Sequence, residues 1–120
     1  MFIDSLANFF ERIDSGFELD EFYVSNFIDE FVHTLSQSDA FEMSSYIVKI
    51  INDDLKSNNM YELLSILIAL QRQSNTRQLP INLRKNPNVF DEIIKNNSEG
   101  YITYLINEII ENYGYENLRL

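Results

Sequence analysis

An all-α fold, a single compact domain of about six helices spanning residues 1–120, is what three features of this sequence predict. Apolar residues recur at helical spacing almost throughout, and alternation of period two is nowhere sustained. Only three Gly and two Pro interrupt the chain. The stretch MYELLSILIALQ (60–71) is apolar in almost every direction around a helix axis, so neighbours must cover it on several sides. Its amphipathic flanking helices can supply that cover, as an irregular bundle or as a short stack of antiparallel helix pairs.

The elements follow in order. A first helix runs from about Asp4 to Asp14, with Gly16 as a stop signal. A second starts near Asp20, a candidate N-cap, and continues to about Ser36. The third follows Ser38, whose hydroxyl can cap it with Glu42 one turn in, and reaches about Lys56. The fourth spans roughly Asn59 to Gln73. SNTRQLPINLRKNP (74–87) then breaks the pattern with Pro80 and Pro87. Pro87 suits the first turn of a fifth helix, from about Asn88 to Asn97. The sixth runs from Ser98 to Tyr113, with Gly114 placed to end it. Pairing the third helix with the fourth and the fifth with the sixth would give a stack, although the two pairs lack the self-similarity of a repeat.

At 45% hydrophobic residues, a chain of 120 can bury about two thirds of the surface its unfolded form exposes, enough for a core. It has no cysteine, which excludes disulfides and thiolate metal sites. MFIDSLANFFER (1–12) has no basic residues ahead of its apolar ones, against a signal peptide. The apolar run LLSILIAL is too short to cross a bilayer. The expectation is a soluble, cytoplasmic protein without membrane contact. Its net charge is −10, and the excess is one-sided. Residues 1–55 hold twelve acids against Arg12 and Lys49, whereas residues 56–120 hold seven of each sign. Such a first half repels phosphates, which argues against nucleic acid as a partner and fits a basic protein or simple solubility.

Helical projection separates a core arc from a solvent arc. FELDEFYVSNFIDEFVHTL (17–35) holds five carboxylates and no Lys or Arg. In its helix Val24, Phe27, Ile28, Phe31, Val32 and Leu35 form the core arc, and Phe22, Tyr23, Asn26, Asp29, Glu30 and His33 lie opposite. In the third helix Met43, Ile47, Ile50, Ile51 and Leu55 point inward, with Glu42, Tyr46, Lys49 and Asp53 outward. The sixth buries Ile102, Leu105, Ile106, Ile109 and Ile110 and leaves Tyr101, Tyr104, Glu108 and Glu111 outside. Aromatics beside acids thus recur on three polar arcs. A tyrosine there can cover a seam between helices, but rings flanked by carboxylates also supply anchors and charge for a cationic partner. The candidate partner-binding residues are Phe22, Tyr23, Asp29 and Glu30, then Glu42, Tyr46 and Asp53.

Catalytic signatures are missing. A single Glu30-x-x-His33 falls short of the two such elements a di-iron bundle uses, and His33 is the only histidine. There is no Gly-rich phosphate loop, no GxSxG and no zinc spacing. Asp29-Glu30 and Asp53-Asp54 diverge by about 100° on a helix and do not converge on one point. No cofactor, no metal and no enzymatic activity are expected. Arg72, Arg77, Arg84 and Lys85 surround the 74–87 break without interleaved aromatics, and are expected to dock that segment by pairing with the acidic half.

In size, charge, lack of cysteine and helical pattern, with FELDEFYVSNFIDEF and YELLSILIAL as the most characteristic stretches, the chain resembles the helical immunity proteins of bacterial toxin systems, including those of contact-dependent growth inhibition. That resemblance implies a non-enzymatic inhibitor that binds and neutralises a cognate basic toxin domain, commonly a nuclease. It assigns no individual residue a role. The alternatives are a phage-type acidic DNA mimic that inhibits a DNA-binding enzyme, and a structural or regulatory helical subunit whose acidic half is merely soluble.

Overall fold

The fold is organised around the helix the sequence marks as apolar all round, α4 (Met60–Ser74). The computed structural model describes residues 2–14, 23–57, 59–97, 99–114 and 118. Among them the elements are α1 (Phe2–Asp14), α2 (Tyr23–Phe27) continued by a π-helical turn (Ile28–Val32), α3 (Gln37–Asp53), α4, α5 (Ile81–Lys85), α6 (Val89–Asn96) and α7 (Gly100–Tyr113), with no strand. The all-α expectation holds.

Three neighbours enclose α4: α3, α7, and the α2/π segment. Met60, Leu63, Leu64, Ile66, Leu67, Ile68 and Leu70 are all buried, as an apolar helix in water demands. The short connection between α3 and α4 makes those two antiparallel. In contrast, α7 runs parallel to α4. Tyr61 at the start of α4 meets Tyr101 at the start of α7, and Gln71 near its end donates to the Ile109 carbonyl at 3.1 Å. A parallel pair needs a crossover, which α5, packed on α3, and α6, packed on α7, supply.

One core draws on every element, with Leu6 from α1, Phe27 from α2, Val32 from the π turn, Ile47 and Val48 from α3, Leu83 from α5, Phe90 and Ile93 from α6, and Ile106 and Ile109 from α7. Aromatic rings pin the first helix: Phe9 packs on Phe27 with centroids 4.7 Å apart, and Phe27 on Phe31 at 5.0 Å.

Several boundaries differ from expectation for identifiable reasons. The cap of α3 is Ser36, not Ser38: its Oγ accepts from the Asp39 amide at 3.0 Å, and Ser38 lies inside the first turn. The second predicted helix, expected to continue to Ser36, ends at Val32 in a π turn closed by the His33 amide donating to the Ile28 carbonyl. Its predicted start, Asp20, and the stop at Gly16 lie outside the described residues.

The 74–87 break contains a helical turn, α5. Pro80 precedes it, and its carbonyl accepts from the amides of Leu83 and Arg84. Leu83 anchors the turn in the core. Pro87 lies ahead of the sixth helix of the fold, in a turn closed by the Val89 amide and the Asn86 carbonyl, rather than in its first helical turn. Amides dock this segment. Asn82 Nδ2 donates to the Ser45 carbonyl at 2.8 Å and Asn86 Nδ2 to Asn52 Oδ1 at 2.9 Å. Arg72 instead pairs with Glu108 of α7, and Arg84 Nε donates to the Leu79 carbonyl. Gly114 ends α7 as expected, at φ +97°, where a Cβ would collide with the Arg77 guanidinium.

Candidate protein-binding surface

The candidate residues divide by where the helices put them. Phe22 lies outside the described residues, as does the side chain of Tyr23, whose backbone opens α2. Asp29 and Glu30 are exposed on the π turn. Asp29 Oδ1 sits 3.3 Å from His33 Nδ1, one turn on, so the histidine's partner is Asp29 and not Glu30. Glu42 and Asp53 are exposed on α3.

Tyr46 departs from its expected outward position: it is partly buried and packs against the core. The arc on which it was placed is crossed by the α5 segment, which bonds to Ser45 next to it. Tyr46 is thus closer to a seam residue than to a free anchor. Among the described residues, no hydrogen bond, ion pair or ring contact joins Asp29 or Glu30 to Glu42, Tyr46 or Asp53, so the two sets are not assembled into one cluster.

The acids nevertheless share an electrostatic circumstance. Among the described residues, no Lys or Arg pairs with Asp29, Glu30, Asp39, Glu42, Asp53 or Asp54, and the Arg72–Glu108 bridge lies elsewhere. Acids outnumber bases on both elements, Asp29 and Glu30 with no Lys or Arg on the π turn and Asp39, Glu42 and Asp53 against Lys49 on α3, which leaves each with a negative potential.

A second feature escaped the sequence reading in part. The exposed large apolar or aromatic side chains among the described residues are Tyr61, Ile81, Tyr101 and Tyr104. Tyr101 and Tyr104, expected outside, are 55% and 71% exposed. Tyr61 lies in the helix that the sequence marks as apolar in almost every direction, yet it is 44% exposed and packs edge-on against Tyr101 at 5.8 Å. A tyrosine at the mouth of an otherwise aliphatic helix was the available signal.

Two hollows border the end of α4. One, of about 370 Å³, is lined by Gln71, Arg72, Asn75, Thr76, Arg77 and Asn112 and is open and polar. The other, of about 350 Å³, lies between the π turn and α4. The second is lined by Ser65 and by His33, whose Nδ1 faces Asp29, but among the described residues no hydrogen bond joins Ser65 to His33. Among the described residues, no three His, Cys, Asp or Glu side chains are grouped to hold a metal ion, and no helix is long and apolar enough to cross a membrane. Burial raises the Tyr113 phenol above its ordinary range, but that side chain is sealed in the core rather than turned to a cleft.

No protein-family model, curated protein or solved structure matches this chain.

Proposed function

We propose that this protein is a non-enzymatic inhibitor of the immunity type, which binds a basic toxin domain and blocks its substrate site. The observation that carries this reading is the exposed carboxylates of the π turn and of α3, none of them bridged by a Lys or Arg among the described residues. Unpaired surface acids add little to the fold and repel one another, whereas opposite a basic surface they speed encounter and select the partner. Asp29 and Glu30 are the first residues of that surface, with Glu42 and Asp53 on α3 and Tyr46 at its edge. A toxin that grips nucleic acid presents such a basic face, and an acidic protein seated there would exclude the phosphates.

The test is survival. The product of the adjacent gene is expressed in a bacterial host with and without this chain. Killing by the neighbour alone, rescued by co-expression, is the expected result; a neighbour that is harmless in both cases removes the proposal. The exposed Tyr61–Tyr101–Tyr104 patch favours a second reading, a helical subunit that assembles through its tyrosines. A chain that elutes as an oligomer when purified alone would support it.

A further inference from the structure

We propose that the partly exposed stripe along α4 is a docking groove for a basic amphipathic helix of a protein partner. This rests on the reading of the partner as basic and goes beyond it by naming the surface and the element it receives.

The stripe is the one interruption of α4's burial. Tyr61, Ser65, Ala69 and Gln73 are spaced four apart and form a single row, with Arg72 beside it. Tyr61 and Arg72 are exposed, and Ser65, Ala69 and Gln73 are partly so. The row is bulky at both ends and small in the middle, a depression into which a ridge of a second helix fits. One wall is the π turn: Ile28 and His33 line a hollow of about 350 Å³ with Ser65, Ile68, Ala69, Arg72 and Gln73. Gln73 Nε2 holds that wall in place by donating to the Leu35 carbonyl at 2.6 Å. On the far side lies α7, whose Tyr101 meets Tyr61 and whose Glu108 pairs with Arg72. Tyr104 falls between these two on the same face of α7.

Charge selects the occupant. Beyond the Glu108 that pairs with Arg72, residues 23–33 and 100–114, the two flanks, contain Asp29, Glu30 and Glu111 and no Lys or Arg. The floor's only cation, Arg72, is already cancelled by Glu108. An incoming helix with a narrow apolar ridge and Lys or Arg at its edges meets complementary potential on both sides, and Tyr61, Tyr101 and Tyr104 supply rings for cation–π and apolar contact. An acidic helix would be repelled. With no strand among the described residues, pairing by strand addition has no edge to use.

The probe is a fluorescein-labelled Leu/Lys amphipathic peptide of about 18 residues, with a Leu/Glu counterpart of the same apolar face, titrated by anisotropy at low salt. Ala69→Gln plugs the floor while keeping helix propensity, and Ser65→Gln does so one turn earlier; circular dichroism confirms that each folds. The expected result is that the lysine peptide binds, the glutamate peptide does not, and either plug weakens binding by about tenfold or more. Asp91→Lys, on the exposed side of α6, changes it by less than about twofold.

Weakening by Asp91→Lys with both plugs silent overturns the groove and leaves the basic-partner reading standing. Equal binding of the two peptides overturns the charge argument. No binding of the lysine peptide removes the groove, and the survival assay then decides the wider reading independently. A homodimer dissolved by Ala69→Gln would show that a second copy, not a basic helix, covers the stripe.

Discussion

Raising the pH above 10 should destabilise this protein through one residue, Tyr113. Its ring closes α7 and is 2% exposed, and burial alone pushes the phenol well above its ordinary value of 10.0. Below pH 10 the hydroxyl is protonated in both folded and unfolded chains, and the group contributes no pH dependence. Above it the unfolded chain ionises while the folded one stays neutral, so the unfolded state gains and stability falls as pH rises. The slope is about 1.4 kcal/mol per pH unit, which gives a loss of about 1.4 kcal/mol at pH 11 relative to pH 8.

Against a total stability of about 5–15 kcal/mol that is a measurable fraction. With an m-value of about 2 kcal/mol per molar urea, the midpoint should drop by about 0.7 M. Urea titrations followed by circular dichroism at both pH values, on the wild type and on Tyr113→Phe, isolate the contribution from the background of lysines and other tyrosines. The variant should lose about 1.4 kcal/mol less than the wild type between the two pH values. Equal losses would refute the reasoning, since they would mean that Tyr113 ionises as easily folded as unfolded.

Three further substitutions probe the fold. Ser36→Ala removes the α3 cap and should cost about 1 kcal/mol in urea unfolding, whereas Ser38→Ala should cost under about 0.5. Gly114→Ala forces a side chain onto a backbone at φ +97° and against Arg77, and should cost at least about 1–3 kcal/mol in the same assay. Phe90→Ala opens a cavity where α6 meets the core and should cost about 3–5 kcal/mol, seen as a fall in Tm.

Much of the fold was legible because helix periodicity and burial share one cause. The core arcs of the second, third and sixth predicted helices stand as read, since a 3.6-residue period fixes which side chains can leave water together. The apolar girdle of MYELLSILIAL demands a central helix, but the row of Tyr61, Ser65 and Ala69, spaced four apart, does not stand out among so many aliphatic neighbours. Tertiary contact decided the rest. Ser36 and Ser38 are both competent caps, and only the path of the chain after the π turn chooses between them. The α5 turn exists because Leu83 finds the core and Asn82 finds Ser45, contacts that no local pattern announces. Tyr46 was assigned to solvent by projection alone, which cannot see a neighbouring segment closing over an arc.

The central claim, that exposed acids on the π turn recruit a basic partner, is tested most directly by association kinetics. The rate at which this chain binds the toxin domain identified by rescue is measured by stopped flow across ionic strength, for the wild type and for Asp29→Lys/Glu30→Lys. The wild-type rate should fall steeply with salt, and the variant should associate about tenfold or more slowly at low salt, with the two converging near about 1 M, where screening is nearly complete. Equal rates for the two proteins at low salt would contradict the account.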